Sequence, residues 1–175
     1  MDQGSVANFI KNKREAKKSF AKKMAFSEKK PLIGIVLDKE LTTKQTACLE
    51  AITQGAGSID VQVVVLSDHK VHEGDGMLHL PYSQANRKNL LAAADMTLSF
   101  SFNDIEEMLL NGAIPISTAR PEIKDYNPNK EIGNAFVYKK RNKWGMFAAV
   151  VRARETFKFP YDWNNIVRQG LEKKS

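Results

Sequence analysis

Short continuous apolar runs alternate with segments whose apolar residues recur every three or four positions, and this alternation starts after Lys29-Lys30. Pro31 to Leu37 (PLIGIVL) reads as a buried strand, with Pro at its start, where no ladder donor is needed. Thr42 or Thr43 can cap a helix carrying Cys48, Leu49 and Ile52, which ends at Gly55-Ala56-Gly57. Ile59 to Leu66 (IDVQVVVL) is the second strand, rich in β-branched residues. The polar loop Ser67 to Gly76 follows, then a short strand at Met77 to Leu80. Ser83 caps a helix through Leu90, Leu91 and Ala94; Met96 to Phe100 is a further strand; Asn103 or Asp104 starts the next helix.

From Glu106 to Pro128 the pattern runs helix, turn, strand and loop in quick succession. Ile105, Met108 and Leu109 give an apolar face, and Asn111-Gly112 supplies the stop, because Gly takes the left-handed conformation at little cost. Ala113 to Ser117 is a short buried strand whose Pro115 leaves at least one position without a ladder donor. Thr118 to Pro121 then lies at a strand's carboxyl end, where open α/β sheets place ligands. Phe136 to Tyr138 is the last strand. Asn142 begins a helix with Met146, Phe147, Val150, Val151, Ala153 and Phe157 on its core face; Pro160 ends it and Asp162 caps a final helix. This rhythm predicts an α/β, Rossmann-like single domain, a mostly parallel sheet with helices on both faces. Its segments are a basic leader at 1–30, the domain proper at 31–159 and a C-terminal helix at 160–175.

Composition adds little to the fold and more to the partners. An apolar share of 42% and a charged share of 27% over 175 residues suit a globular chain with a sizeable core. No apolar run is long enough to span a bilayer and the N-terminus lacks a secretory core, so the expected compartment is the cytoplasm, with no membrane partner. The lone Cys48 sits on a helical apolar pattern and reads as packing.

The net charge of +7 is concentrated in residues 1–30, where nine Lys or Arg face Asp2, Glu15 and Glu28, a balance of +6. The simplest reading is a helix that docks Phe20 and Met24 while its lysines face water, so that removing residues 1–14 spares the fold and only weakens polyanion binding. His69 and His72, beside Asp68, Glu73 and Asp75, have types that ligate metals, but a glycine-punctuated loop does not organise them, so neither a metal nor a cofactor is expected. G-x-S-x-G, G-x-G-x-x-G and P-loop patterns are absent.

From about Lys17 onward the chain resembles the C-terminal, nucleotide-sugar-binding half of bacterial glycogen and starch synthases, two-domain glycosyltransferases of the GT-B type. KKSFAKKMAF before KKPLIGIV is similar to the family's NK-x-x-LQ-x-x-LGL leader and PLIG-x-V strand; VQVVVLS to V-Q-x-V-L-G; AADMTLSFS to A-D-M-x-L-x-P-S. EEMLLNGAIPIS resembles LEAMRYGTIPIV, EIKDYNP resembles DTVEDYNP, and NAFVYKK resembles G-x-G-F-x-F.

The departures fall where the resemblance implies ligand contacts. The family's S-R-L-x-x-Q-K-G segment, whose Arg and Lys hold the donor diphosphate, is replaced by Leu37 to Gln45, with Asp38 near the Arg position and Lys39 or Lys44 as the remaining cation. Glu107 matches a ribose-binding carboxylate, whereas the motif's first Glu and its Gly have no counterpart near Phe102-Asn103. The Gly-Gly loop after the IPIV strand is cut to Ala119-Arg120-Pro121. The resemblance thus implies a remnant nucleotide site of Lys39, Lys44, Glu107 and Arg120, with catalytic residues unassigned. The expected function is a reduced glycosyltransferase-like domain, a pseudoenzyme when alone, with weak ADP, UDP or nucleotide-sugar binding. One alternative is the donor-binding subunit of a split glucosyltransferase completed by a separate acceptor-domain chain; another is a nucleic-acid or polyanion binder acting through the leader.

Overall fold

The computed structural model describes residues 3–69, 71, 73, 74, 76–100 and 105–172. In chain order these form α1 (Gln3–Met24), β1 (Leu32–Leu37), α2 (Thr43–Gly55), β2 (Gln62–Ser67), β3 (Met77–Pro81), α3 (Gln84–Ala93), β4 (Met96–Leu98), α4 (Ile105–Leu110), β5 (Ile114–Ser117), β6 (Phe136–Val137), α5 (Lys143–Phe157) and α6 (Pro160–Glu172). The strands make one sheet in the order β3-β2-β1-β4-β5-β6, and every pairing is parallel. That is the doubly wound α/β order, with its reversal between β1 and β4.

The central strands are buried on both faces, which is why they read as unbroken apolar runs. Ile33, Ile35 and Leu37 of β1, with Val63 and Val65 of β2, face a core completed by α2, α5 and α6. Leu32 and Val36, with Val64 and Leu66, face Phe20 of α1 and Leu90 and Ala93 of α3. Gly34 lets α3 approach β1 closely: a Cβ there would lie 3.2 Å from Leu90 Cγ and 3.3 Å from Ala94 Cβ. Trp163 of α6 stacks on Phe136 at a centroid distance of 6.2 Å and meets Phe157 edge-on at 5.2 Å, fastening α6 to the sheet.

Local chemistry explains most element ends. Thr42 caps α2 through a reciprocal capping box with Gln45, and Ser83 and Asn142 cap α3 and α5. Gly112 ends α4 at φ 60°, where an added Cβ would lie 2.8 Å from Phe9 of α1. The second strand starts later than its apolar pattern suggests, because Gly57–Ile59 form a 3-10 turn and Asp60 adopts φ 55°. α6 starts at Pro160 itself, with Phe159 O accepting the Trp163 amide, so Asp162 lies in its first turn instead of capping it. The proposed starts at Asn103 and Asp104 lie outside the described residues.

Pro115 sits in β5, between two partners, and costs the ladder nothing. Ile114 donates to Asp95 O and Ile116 accepts from the Ser99 amide, so the alternate residue's nitrogen faces β6, which begins only opposite Ile116.

α1 is part of this core. Val6 and Phe20 are buried, and Phe9 and Ile10 pack on the main cluster. The expectation that its lysines face water holds for Lys11, Lys18, Lys22 and Lys23 and fails for Lys13 and Lys17. Lys13 Nζ donates to Leu91 O and Ala92 O at the end of α3 and to Asn111 O after α4, at 3.4, 3.3 and 2.7 Å. These are helix-terminal carbonyls without intrahelical partners, which a cation satisfies well. Lys17 Nζ lies 2.6 Å from Asp95 Oδ2, and the same carboxylate oxygen accepts the Leu32 amide at 2.8 Å. This buried ion pair therefore joins α1, β1 and the start of β4 at the amino edge of the sheet.

Candidate functional site

The carboxyl edge of the sheet carries the segments 38–41, 99–100, 118–121 and 138–141, which follow β1, β4, β5 and β6, and the strand order reverses there between β1 and β4. Gln45 spans that reversal. Its Oε1 accepts the Thr42 amide at 2.9 Å while its Nε2 donates to Phe100 O at 2.9 Å, tying the first turn of α2 to the loop after β4. The Thr42 hydroxyl takes the Gln45 amide, one of the donors an anion at this helix N-terminus would otherwise meet.

Lys39 follows β1, is exposed, and lines a crevice of about 370 Å³ with Leu41, Thr46, Ser67 and His69 at the β1–β2 side. Lys44 is exposed in the first turn of α2, and Asp38 is exposed beside Lys39. Glu107 lies on α4 and is engaged by Arg87 of α3: Arg87 Nε contacts its two oxygens at 3.3 and 3.1 Å, and Nη2 also bonds Oε2. Arg87 is nearly covered and Glu107 is part-exposed, so the pair is half in solvent.

Arg120, after β5, is half-buried. Burial pulls its guanidinium below the usual arginine range, Arg141 adds to the effect and Glu122 opposes it. Next to it the Tyr138 hydroxyl is pushed up to about 12, chiefly by burial, with Arg120 and Arg141 acting against the shift. Because β4 lies between β1 and β5, the ends that carry Lys39 and Arg120 are two strand spacings apart, about 10 Å.

One feature of this edge was not singled out from the sequence. Lys139, Lys140, Arg141 and Lys143 are all exposed around the Asn142 cap of α5, and Trp144 is 71% exposed with the Lys143 ammonium 5.1 Å from its ring centroid. The run KKRNKW was the available signal. Among the described residues no group of three or more His, Cys, Asp or Glu side chains could hold a metal ion; His69 is exposed, and His72 and Asp75 lie outside those residues. No helix among the described residues is long and apolar enough to cross a membrane.

No protein family matches the chain, and no curated protein matches it by sequence. Solved structures match it in fold. The catalytic domain of starch synthase IV from Arabidopsis thaliana, in a structure bound to ADP and acarbose, is similar with a TM-score of 0.70 and 18% identity. The match covers 91% of this chain and 38% of that one, so the chain spans little more than a third of its structural neighbour's length. The fold is therefore that of one Rossmann-like half of a GT-B glycosyltransferase.

Proposed function

We propose that the chain is a reduced glycosyltransferase-type donor domain that binds a nucleoside diphosphate or nucleotide-sugar weakly at its carboxyl edge and transfers no glucose on its own. The observation that carries this reading is the state of Glu107. A carboxylate meant to accept ribose hydroxyls is instead gripped by Arg87, so a nucleotide must compete with a charge-assisted pair for it. Lys39 and Arg120 remain as cations after two strands of that edge, whereas Asp38 adds repulsion next to any diphosphate. The starch synthase structure with ADP supports the choice of nucleotide class. Glycosyl transfer also needs an enclosed cleft that positions two substrates, and a single open sheet edge does not provide one.

Calorimetric titration with ADP, UDP and their glucose esters tests this directly. ADP is expected to bind no tighter than about millimolar, near −4 kcal/mol, and Asp38→Arg is expected to strengthen binding by exchanging a repulsive charge for an attractive one. Micromolar ADP binding that Arg120→Ala weakens would instead favour the donor-binding subunit of a split transferase. Glucose transfer from ADP-glucose to glycogen that disappears in Glu107→Ala would overturn the reading outright.

A further inference from the structure

At the opposite, amino edge of the sheet, α1 and α6 enclose a cavity of about 340 Å³. Its walls are apolar, formed by Ile10, Phe157, Pro160, Trp163 and Val167. Its charged lining is unbalanced: Lys13, Arg14 and Lys17 stand against Asp95 and Glu28, three cations to two carboxylates. Two of the cations are set into the structure. Lys17 is buried against Asp95 with its ammonium 4.8 Å from the Phe157 ring centroid, and Lys13 is anchored on three carbonyls. A cation and an aromatic wall thus lie within the length of one small molecule, in a space of the size that encloses such ligands. Asp95 matches Lys17, so the excess charge falls on Lys13 and the exposed Arg14, and an anion that enters with an apolar body meets that charge and covers the wall at once.

We infer that this cavity binds a small organic anion with a flat apolar body, of the aromatic carboxylate class. The carboxylate meets Arg14, the exposed cation of the lining, and the ring lies against Phe157 and Trp163. The site is separated from the carboxyl-edge crevice by the full length of the strands, so it is independent of the nucleotide reading. Burial pulls the Lys13 amine down to about 8, with Lys17 adding to the effect and Asp95 opposing it. Arg14 and Glu28 also face the cavity. A carboxylate arriving there raises the amine again, so binding near pH 8 takes up a proton.

Isothermal titration of the full chain with sodium benzoate tests the proposal, with benzyl alcohol as the neutral body and inorganic phosphate as the bodiless anion. Benzoate is expected to bind at least about tenfold more tightly than either control, to take up protons near pH 8, and to be indifferent to saturating ADP. Asn164→Trp, which fills the cavity from α6 without removing a charge, should abolish the benzoate signal. Arg14→Glu, a change at an exposed position, should weaken it about tenfold even if the tryptophan variant does not fold. Absence of benzoate binding by the folded chain, equal binding of either control, or binding unchanged in Arg14→Glu overturns the proposal.

Discussion

The two edges of the sheet use their charges in opposite ways. At the amino edge Lys13 and Lys17 are committed to helix-end carbonyls and to Asp95, and Asp95 also holds the first amide of β1. At the carboxyl edge Lys39, Lys44, Lys139, Lys140 and Arg141 are all exposed. A charge whose partners are built into the fold is expensive to unpair; a solvated charge contributes little to stability and is available to a ligand. A cluster of lysines in a sequence is therefore no guide to function until each is assigned to one of these two situations.

The largest expected effect tests whether the amino edge is structural. Deleting residues 1–14 removes buried Val6, the packing of Phe9 and Ile10, and the Lys13 contacts. At about 1.5–3 kcal/mol per buried apolar side chain, the loss should reach roughly 4–6 kcal/mol in urea unfolding. A truncated protein with an unchanged midpoint would return α1 to the role of a dispensable leader.

Next, Asp95→Ala leaves the Lys17 ammonium buried without its counter-ion and should cost about 3–5 kcal/mol. Asp38→Ala, at the exposed edge, should stay within about 0.5 kcal/mol. Equal costs for the two would erase the contrast between the edges.

A pH series sharpens it further. Lys13 holds its proton to about 8 in the fold, against an ordinary value of 10.5 in the open chain. Between those values the unfolded state binds more protons, so the Lys13 contribution to stability rises with pH across this window and is flat below it. Unfolding free energies of the parent minus those of Lys13→Met should show that rise; a flat difference would mean that Lys13 is solvated after all. The smallest effect concerns Ala25, which ends α1 at φ 56°, a conformation glycine adopts without penalty. Ala25→Gly should raise the melting temperature slightly, by about 0.5–1 kcal/mol of stability, and a drop would show that the methyl group is needed for packing.

How much of this was legible in the sequence varies with the range of the interaction. Local rules narrowed the first cap to Thr42 or Thr43 and placed the others at Ser83 and Asn142 and the stop at Gly112, because each depends on residues within a turn of itself. The double burial of the sheet was legible from runs such as Val63 to Leu66, the pattern that a parallel sheet covered on both faces shows. Lys13 and Lys17 were not legible as buried groups, since KNKREAKK has the composition of a solvated helix and their partners lie 78 to 98 positions away along the chain. The same holds for Glu107, whose carboxylate was assigned from a resemblance while Arg87, 20 residues earlier, holds it. Of the four candidate site residues, Lys39 and Arg120 lie at the ends of strands, where topology places ligands, and Lys44 and Glu107 lie on the flanking helices.

The contacts of Lys13 also constrain the order in which the chain can assemble during synthesis. α1 is made before α3 and α4, yet the carbonyls that receive Lys13 belong to Leu91, Ala92 and Asn111, 78 to 98 positions later. At about 5–20 residues per second, the helix emerges from the ribosome several seconds before its docking surface exists, exposing Val6, Phe9 and Phe20 to whatever nascent-chain binders are present.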